Sequence, residues 1–105
     1  GLTSALLLKS DGFDVKIFES ANEIKPVGAG IIMANNAMQI FKKIGIDKKI
    51  QTLGNKVNLV NITHADLKII SAVSLDVFEK KYGVYDVAIH RADLQNTLAE
   101  ALGFE

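Results

Sequence analysis

Cysteine and tryptophan are absent from this chain of 105 residues, proline occurs once, at Pro26, and histidine twice, at His64 and His90. Without cysteine there is no disulfide framework, no thiolate nucleophile and no thiolate metal site, which agrees with a reducing compartment and leads to the expectation of a cytoplasmic protein. Two histidines far apart in sequence supply no metal cluster, so no bound metal is expected. Net charge is missing as well: twelve Lys and Arg balance twelve Asp and Glu. The basic residues occur as short pairs, Lys42-Lys43, Lys48-Lys49 and Lys80-Lys81, which read as solvated helix faces rather than a continuous stripe, so no nucleic-acid partner is expected. The apolar runs fall far below the roughly 18 residues needed to cross a bilayer, so no transmembrane segment is expected.

What is present is a hydrophobic fraction of 49%, enough for one core of ordinary domain size. Leu2 to Ser10 is apolar at almost every position and reads as a helix buried on more than one side, ended by Asp11-Gly12. Asp14 to Glu19 reads as a strand, which makes the opening the second half of a βαβ unit. Ser20 to Gly30, with Pro26, Gly28 and Gly30, is a loop of tight turns, and Ile31 to Met33 a brief extended run. Asn35 or Asn36 supplies an N-cap for a helix whose Ala37, Ile40, Phe41 and Ile44 share a side and which Gly45 ends. A short helical turn follows over Asp47 to Leu53. Lys56 to Thr63 and Lys68 to Leu75 read as an antiparallel hairpin whose link, His64 to Leu67, lacks the glycine of the tightest turns. Val84 to His90 is a further strand, and Ala92 to Leu102 a helix closed by Gly103. Met33 and Met38 read as core or near-core filler. The fold class expected is α/β, with a parallel βαβ core and an antiparallel hairpin.

Three features bear on chemistry. In a dinucleotide-binding βαβ unit the last glycine of the fingerprint lets helix and strand approach, and an acid about 20 positions onward bonds the ribose hydroxyls. Gly1 and Glu19 stand at that spacing; the ordinary alternative for Glu19 is a solubilising acid at a strand end. Arg91, Gln95, Leu98 and Leu102 fall in one narrow sector of the last helix. A guanidinium at a helix N-terminus suits an anion such as a pyrophosphate, because backbone N–H groups and Arg both donate to phosphate oxygens. The alternative is that Arg91 pairs with a carboxylate and Gln95 caps a loop. Gly28-Ala29-Gly30 would let a flat ring or a phosphate come against the backbone, or is simply a turn. His64, at the hairpin tip, and His90 have no serine and carboxylate arranged around them as a triad and read as structural or solvent-facing.

Taken in order, these segments resemble the para-hydroxybenzoate hydroxylase-like family of FAD-dependent monooxygenases, which includes salicylate hydroxylase-like and zeaxanthin epoxidase-like enzymes. The resemblance rests on Gly1-Leu2-Thr3-Ser4-Ala5-Leu6, Ile17-Phe18-Glu19, Gly28-Ala29-Gly30-Ile31 with Asn35-Asn36-Ala37 and Gly45, and His90-Arg91-Ala92-Asp93-Leu94. It implies a partial Rossmann-like FAD-binding domain over residues 1–105. By the resemblance Glu19 holds the adenosine ribose of FAD, and Gly1 belongs to the turn over the pyrophosphate. Arg91 reaches the pyrophosphate or ribityl region with Gln95 beside it, and Gly28, Ala29 and Gly30 lie near the flavin ring. Lys25 stands where the family more often has arginine, near flavin or the nicotinamide donor; lysine keeps the charge and loses the planar fork. The hairpin tip also departs from the family, with Ala65-Asp66-Leu67 in place of an Asp-Gly turn.

The activity implied is oxygenation of an aromatic or other unsaturated small molecule, using FAD, NADH or NADPH, and O2. The flavin carries that chemistry, so no residue of the chain is expected to be catalytic in its own right. The first strand with its glycines, a later Gly-Asp segment and the substrate domain are not in these residues, so the expectation is an N-terminal fragment of a longer enzyme. Two rivals remain at this point: an FAD-dependent reductase of the geranylgeranyl reductase-like type, and a non-enzymatic α/β binding module.

Overall fold

In the computed structural model, which describes residues 1–25 and 27–103, the elements follow in the order α1 (Leu2–Ser10), β1 (Gly30–Met33), α2 (Asn35–Lys43), α3 (Asp47–Leu53), β2 (Asn55–Val57), β3 (Leu59–Thr63), β4 (Ile69–Ser74), α4 (Asp76–Tyr82), β5 (Asp86–His90) and α5 (Arg91–Leu102). Pro26, the loop marker of the sequence, lies outside the described residues. One sheet has the order β1-β5-β2 and the other is the β3–β4 hairpin. No helix among the described residues is long and apolar enough to cross a membrane.

The α/β class and the hairpin hold, while the parallel βαβ core is not formed: every strand pairing among the described residues is antiparallel. The strand expected over Asp14–Glu19 is absent, and only Val15 of that stretch is half-buried. A strand is made by its neighbour as much as by its own residues. Among the described residues no strand pairs with this segment. The apolar alternation of Asp14–Glu19 is therefore present without a ladder to fix it.

The helices end where the sequence places their stops. At α1, Phe13 N–H donates to Leu8 O and Gly12 N–H to Lys9 O, and at α2 Ile46 N–H and Gly45 N–H donate to Phe41 O and Lys42 O in the same paired pattern. The start of α2 differs from expectation. Ala34 is the N-cap, without a side-chain cap, and Asn35 is turned to other use: its amide donates to Val84 O at 2.7 Å. Helix α4 is an element the sequence reading lacks. It is only seven residues long and none of them is buried; Phe78 and Tyr82 stand at helical spacing, but two positions in so short a segment are a weak periodic signal.

Strand β5 organises the core. Its side chains alternate, with Val87 and Ile89 turned inward, where Met38 and Phe41 of α2, Ile50 of α3, and Leu94 and Leu98 of α5 meet them together with Val84. Leu2 and Leu6 of α1 and Met33 of β1 pack against this cluster. Met38 and Met33 thus take the core and near-core places expected of them. Ile40, expected on the inner side of α2, stays partly exposed, and Met38 fills that place instead. Each fully buried Met, Ile or Val contributes roughly 1.5–3 kcal/mol of transfer free energy.

Two polar ties hold the periphery. Lys56 of β2 pairs with Glu79 of α4 and lies 4.9 Å from the Tyr85 ring centroid, and Lys49 of α3 pairs with Glu100 of α5. Where α3 passes into β2 the backbones come very close. A β-carbon at Gly54 would overlap Val87 Cγ1 and sit 2.7 Å from Ala88 O, so only glycine lets that turn seat against β5.

Candidate functional site

Gly28, Ala29 and Gly30 lead into β1, and the antiparallel register sets Gly30 opposite His90. The ladder therefore delivers the small-residue turn to the point where β5 becomes α5. Arg91 N–H reaches the Ala29 carbonyl oxygen at 3.4 Å. Gly28 has φ +101°, in the left-handed region that side chains disfavour, and a β-carbon there would lie 3.8 Å from Arg91 Cδ. The bare turn and the arginine stem are neighbours.

Arg91 is exposed. Among the described residues no carboxylate pairs with its guanidinium, the ion pairs being Lys25–Glu23, Lys49–Glu100, Lys56–Glu79 and Lys68–Asp66. The carboxylate partner considered from sequence is thus not found. Gln95, one turn on and half-buried, does not cap a loop among the described hydrogen bonds either. His90 occupies the N-cap position of α5 without a side-chain cap bond; the Arg91 N–H is taken by Ala29 O, and no side chain among the described hydrogen bonds accepts from the Ala92 and Asp93 N–H groups.

Gly1 is the N-cap of α1, likewise without a side-chain cap. Lys9 Nζ donates to Leu102 O at 3.3 Å, which ties the C-terminal ends of α1 and α5 together, while Leu2 and Leu6 pack into the cluster that holds Leu94 and Leu98. That tie lies at the C-terminal ends of the two helices; no described hydrogen bond joins their N-terminal ends, Gly1 and Arg91. Both ends carry the partial positive charge of a helix N-terminus.

Glu19 and Lys25 make only local contacts. Glu19 Oε1 accepts the Ala21 backbone N–H at 2.9 Å and the Ser20 hydroxyl at 3.4 Å. Donation from the Ala21 backbone, then from that of Ser20, holds the exposed Glu19 carboxyl below its ordinary pKa. Lys25 pairs with Glu23 at 3.7 Å, both exposed. Among the described hydrogen bonds and ion pairs nothing joins either residue to Arg91 or to the Gly28–Gly30 turn. A shallow hollow of about 520 Å³ lined by Leu6, Lys9, Ser10, Lys42, Lys43, Ile44 and Gly45 lies at the other end of α1, away from Arg91.

Asn35 is the residue whose part sequence reasoning missed. Its amide holds Val84 O, and Gln39 Nε2 donates to Asn35 Oδ1 at 2.9 Å. This pins the first turn of α2 to the segment that feeds β5, and so sets the strand that presents His90 and Arg91. The Asn35-Asn36 pair is a visible signal in the sequence, where it suggests an N-cap; in the structure Asn35 ties two distant segments together.

No family profile matches the chain. Curated proteins do. The chain is similar to an aurachin C monooxygenase/isomerase of Stigmatella aurantiaca, 33% identical over 98% of this chain and 27% of that protein. A 6-hydroxynicotinate 3-monooxygenase of Pseudomonas fluorescens is 32% identical over 97% of this chain and 27% of its own length. An FAD-dependent urate hydroxylase of Mycolicibacterium vanbaalenii is 27% identical over 100% of this chain and 27% of that protein. The chain spans about a quarter of the length of the curated relatives it matches.

Proposed function

The chain fits a fragment of the FAD-dependent monooxygenase and hydroxylase family, and from that premise we propose that it forms part of the FAD site of an enzyme that oxygenates an aromatic small molecule. The observation that carries the reading is the Arg91 guanidinium, unpaired among the described residues, beside a turn whose Gly28 has φ +101° and no side chain. The donor set suits a dinucleotide. The Arg91 guanidinium and the N–H groups of Ala92 and Asp93 at the head of α5 would hold pyrophosphate oxygens, joined by the head of α1 at Gly1.

Within this proposal Gly28, Ala29 and Gly30 let the flavin come against the backbone, and Gln95 lies one turn beyond Arg91 at the edge of the same site. Glu19 would serve the adenosine ribose by exchanging its bonds to Ala21 and Ser20 for the sugar hydroxyls. Lys25 would offer a point charge to the flavin or to the nicotinamide donor after leaving Glu23. When bound, FAD would supply the redox chemistry, with electrons from NADH or NADPH, one oxygen atom of O2 entering the substrate and the other leaving as water. The residues of this chain bind and orient; none is assigned proton transfer.

The names of the relatives support oxygenation over the reductase alternative, and the aromatic acids and urate among their substrates support an aromatic substrate for this protein. A cytoplasmic location belongs to the same proposal. The test is the visible spectrum of the purified full-length gene product. A yellow protein with oxidised-flavin bands that bleach on adding NADH or NADPH is expected, and a colourless protein that takes up no FAD would overturn the reading.

A further inference from the structure

Strand β1 is short and has little of its own to fix its register. Among the described residues it pairs with β5 alone. Gly30, Ile31 and Ile32 are exposed, and only Met33 is half-buried. A slip of one residue would set Ile31 at the place of Ile32 and Ile32 at that of Met33, apolar for apolar, so burial discriminates weakly between the two pairings. The slip would nevertheless put Ala29 in place of Gly30 opposite His90, and displace Gly28 relative to Arg91 by about 3.3 Å, the rise of one strand residue.

The group that does discriminate stands just past the other end of the ladder. The Asn35 amide nitrogen donates to Val84 O at 2.7 Å, and Val84 is fully buried in the core cluster, a fixed point for the bond. Gln39 Nε2 donates to Asn35 Oδ1 at 2.9 Å, which turns the amide nitrogen toward the carbonyl. A shift of one residue would take Asn35 out of hydrogen-bonding distance of Val84 O. At the Arg91 end the backbone bond from Arg91 N–H to Ala29 O is long, 3.4 Å, and holds the pairing less firmly. No described hydrogen bond joins Asn35 or Gln39 to Arg91 or to the Gly28–Gly30 turn.

We infer that Asn35 is a positioning residue of the proposed cofactor site: its bond to Val84 O selects the β1–β5 register, and the register sets the Gly28–Gly30 turn against Arg91. Gln39 holds the Asn35 amide in the orientation that does so. Asn35 itself contacts no ligand in this scheme and acts only by placing the turn beside the arginine. The effect on the cofactor rests on the reading of the chain as part of an FAD site; the selection of register does not.

The test uses the full-length gene product and reads two quantities, amide hydrogen exchange at Arg91 in the apoprotein and the FAD dissociation constant. Asn35→Asp keeps the size of the side chain and the acceptor for Gln39 but removes the donor to Val84 O. Exchange at Arg91 about 10-fold faster and FAD binding about 5-fold weaker are expected. Ile50→Val, a core change on α3, controls for stability: at a comparable fall in melting temperature both quantities stay within about twofold of wild type. The same changes in Ile50→Val would make Asn35 an ordinary stabilising residue and overturn the inference. If Asn35→Asp does not fold, Gln39→Ala is read instead and is expected to move both quantities in the same direction by a smaller factor. Unchanged exchange at Arg91 in the folded variant overturns the inference, as does an unchanged dissociation constant where the wild type binds FAD. A wild-type protein that binds no FAD counts against the flavin reading alone, and exchange at Arg91 then decides whether Asn35 selects the register.

Discussion

Gly28 and Arg91 are in register to touch: a β-carbon at Gly28 would lie 3.8 Å from Arg91 Cδ, on a backbone held at φ +101°. Any side chain at Gly28 therefore costs conformational strain, about 1–2 kcal/mol, and adds a contact against the arginine stem. Gly28→Val is expected to lower the affinity of the full-length protein for FAD severalfold while lowering its melting temperature only slightly. Fluorescence titration of the apoprotein with FAD, beside a thermal melt, separates the two effects.

Gly54 makes a different demand. Its hypothetical β-carbon meets the Ala88 carbonyl oxygen at 2.7 Å and the Val87 side chain, so the backbone itself has to move to admit one methyl group. Gly54→Ala is expected to destabilise by about 1–3 kcal/mol, the usual range for overpacking. Urea denaturation should show the midpoint falling with little change in slope.

At the hairpin tip the strain is already present. Leu67 has φ +67° where the chain lacks the glycine common in such turns, and its N–H donates to His64 O to close the link. Since the Leu67 side chain is exposed, Leu67→Gly relieves the left-handed strain without removing core. A gain of up to about 1 kcal/mol is expected, net of the extra freedom glycine gives the unfolded chain. The same denaturation measurement reads it as a higher midpoint.

The Glu19 turn carries a pH dependence of defined sign. Its folded pKa lies below the ordinary 4.5 because the Ala21 and then the Ser20 backbone N–H groups favour the carboxylate. The contribution to the turn is thus present above that ordinary value and is lost as the pH falls through the lowered one. NMR titration of the Glu19 carboxyl carbon is expected to show a midpoint below 4.5, with the Ala21 amide resonance moving in step; Glu19→Gln should abolish the amide response.

Much of this architecture can be read from residues alone, wherever one local rule decides the outcome. The boundaries of α1 and the stop of α2 follow from Asp11-Gly12 and Gly45, because helix termination needs only the last turn and the residues after it. What escapes is decided by partners. Asp14–Glu19 has the composition of a strand but lacks the neighbour that makes one, and Asn58 splits an unbroken β-rich run because Asn55–Val57 and Leu59–Thr63 pair with different strands. The proximity of Gly28–Gly30 to Arg91 follows from the β1–β5 register, more than 60 positions apart in sequence. The candidate residues were visible singly by type; which of them meet was not.

The most direct test of the proposed cofactor site is the FAD dissociation constant of the full-length protein carrying Arg91→Ala. A charge-assisted hydrogen bond to an anion contributes about 1.5–3 kcal/mol, so roughly 10- to 150-fold weaker binding is expected, with the melting temperature of the apoprotein unchanged because Arg91 is exposed and unpaired among the described residues. An unaltered dissociation constant in a well-folded Arg91→Ala protein would contradict the account.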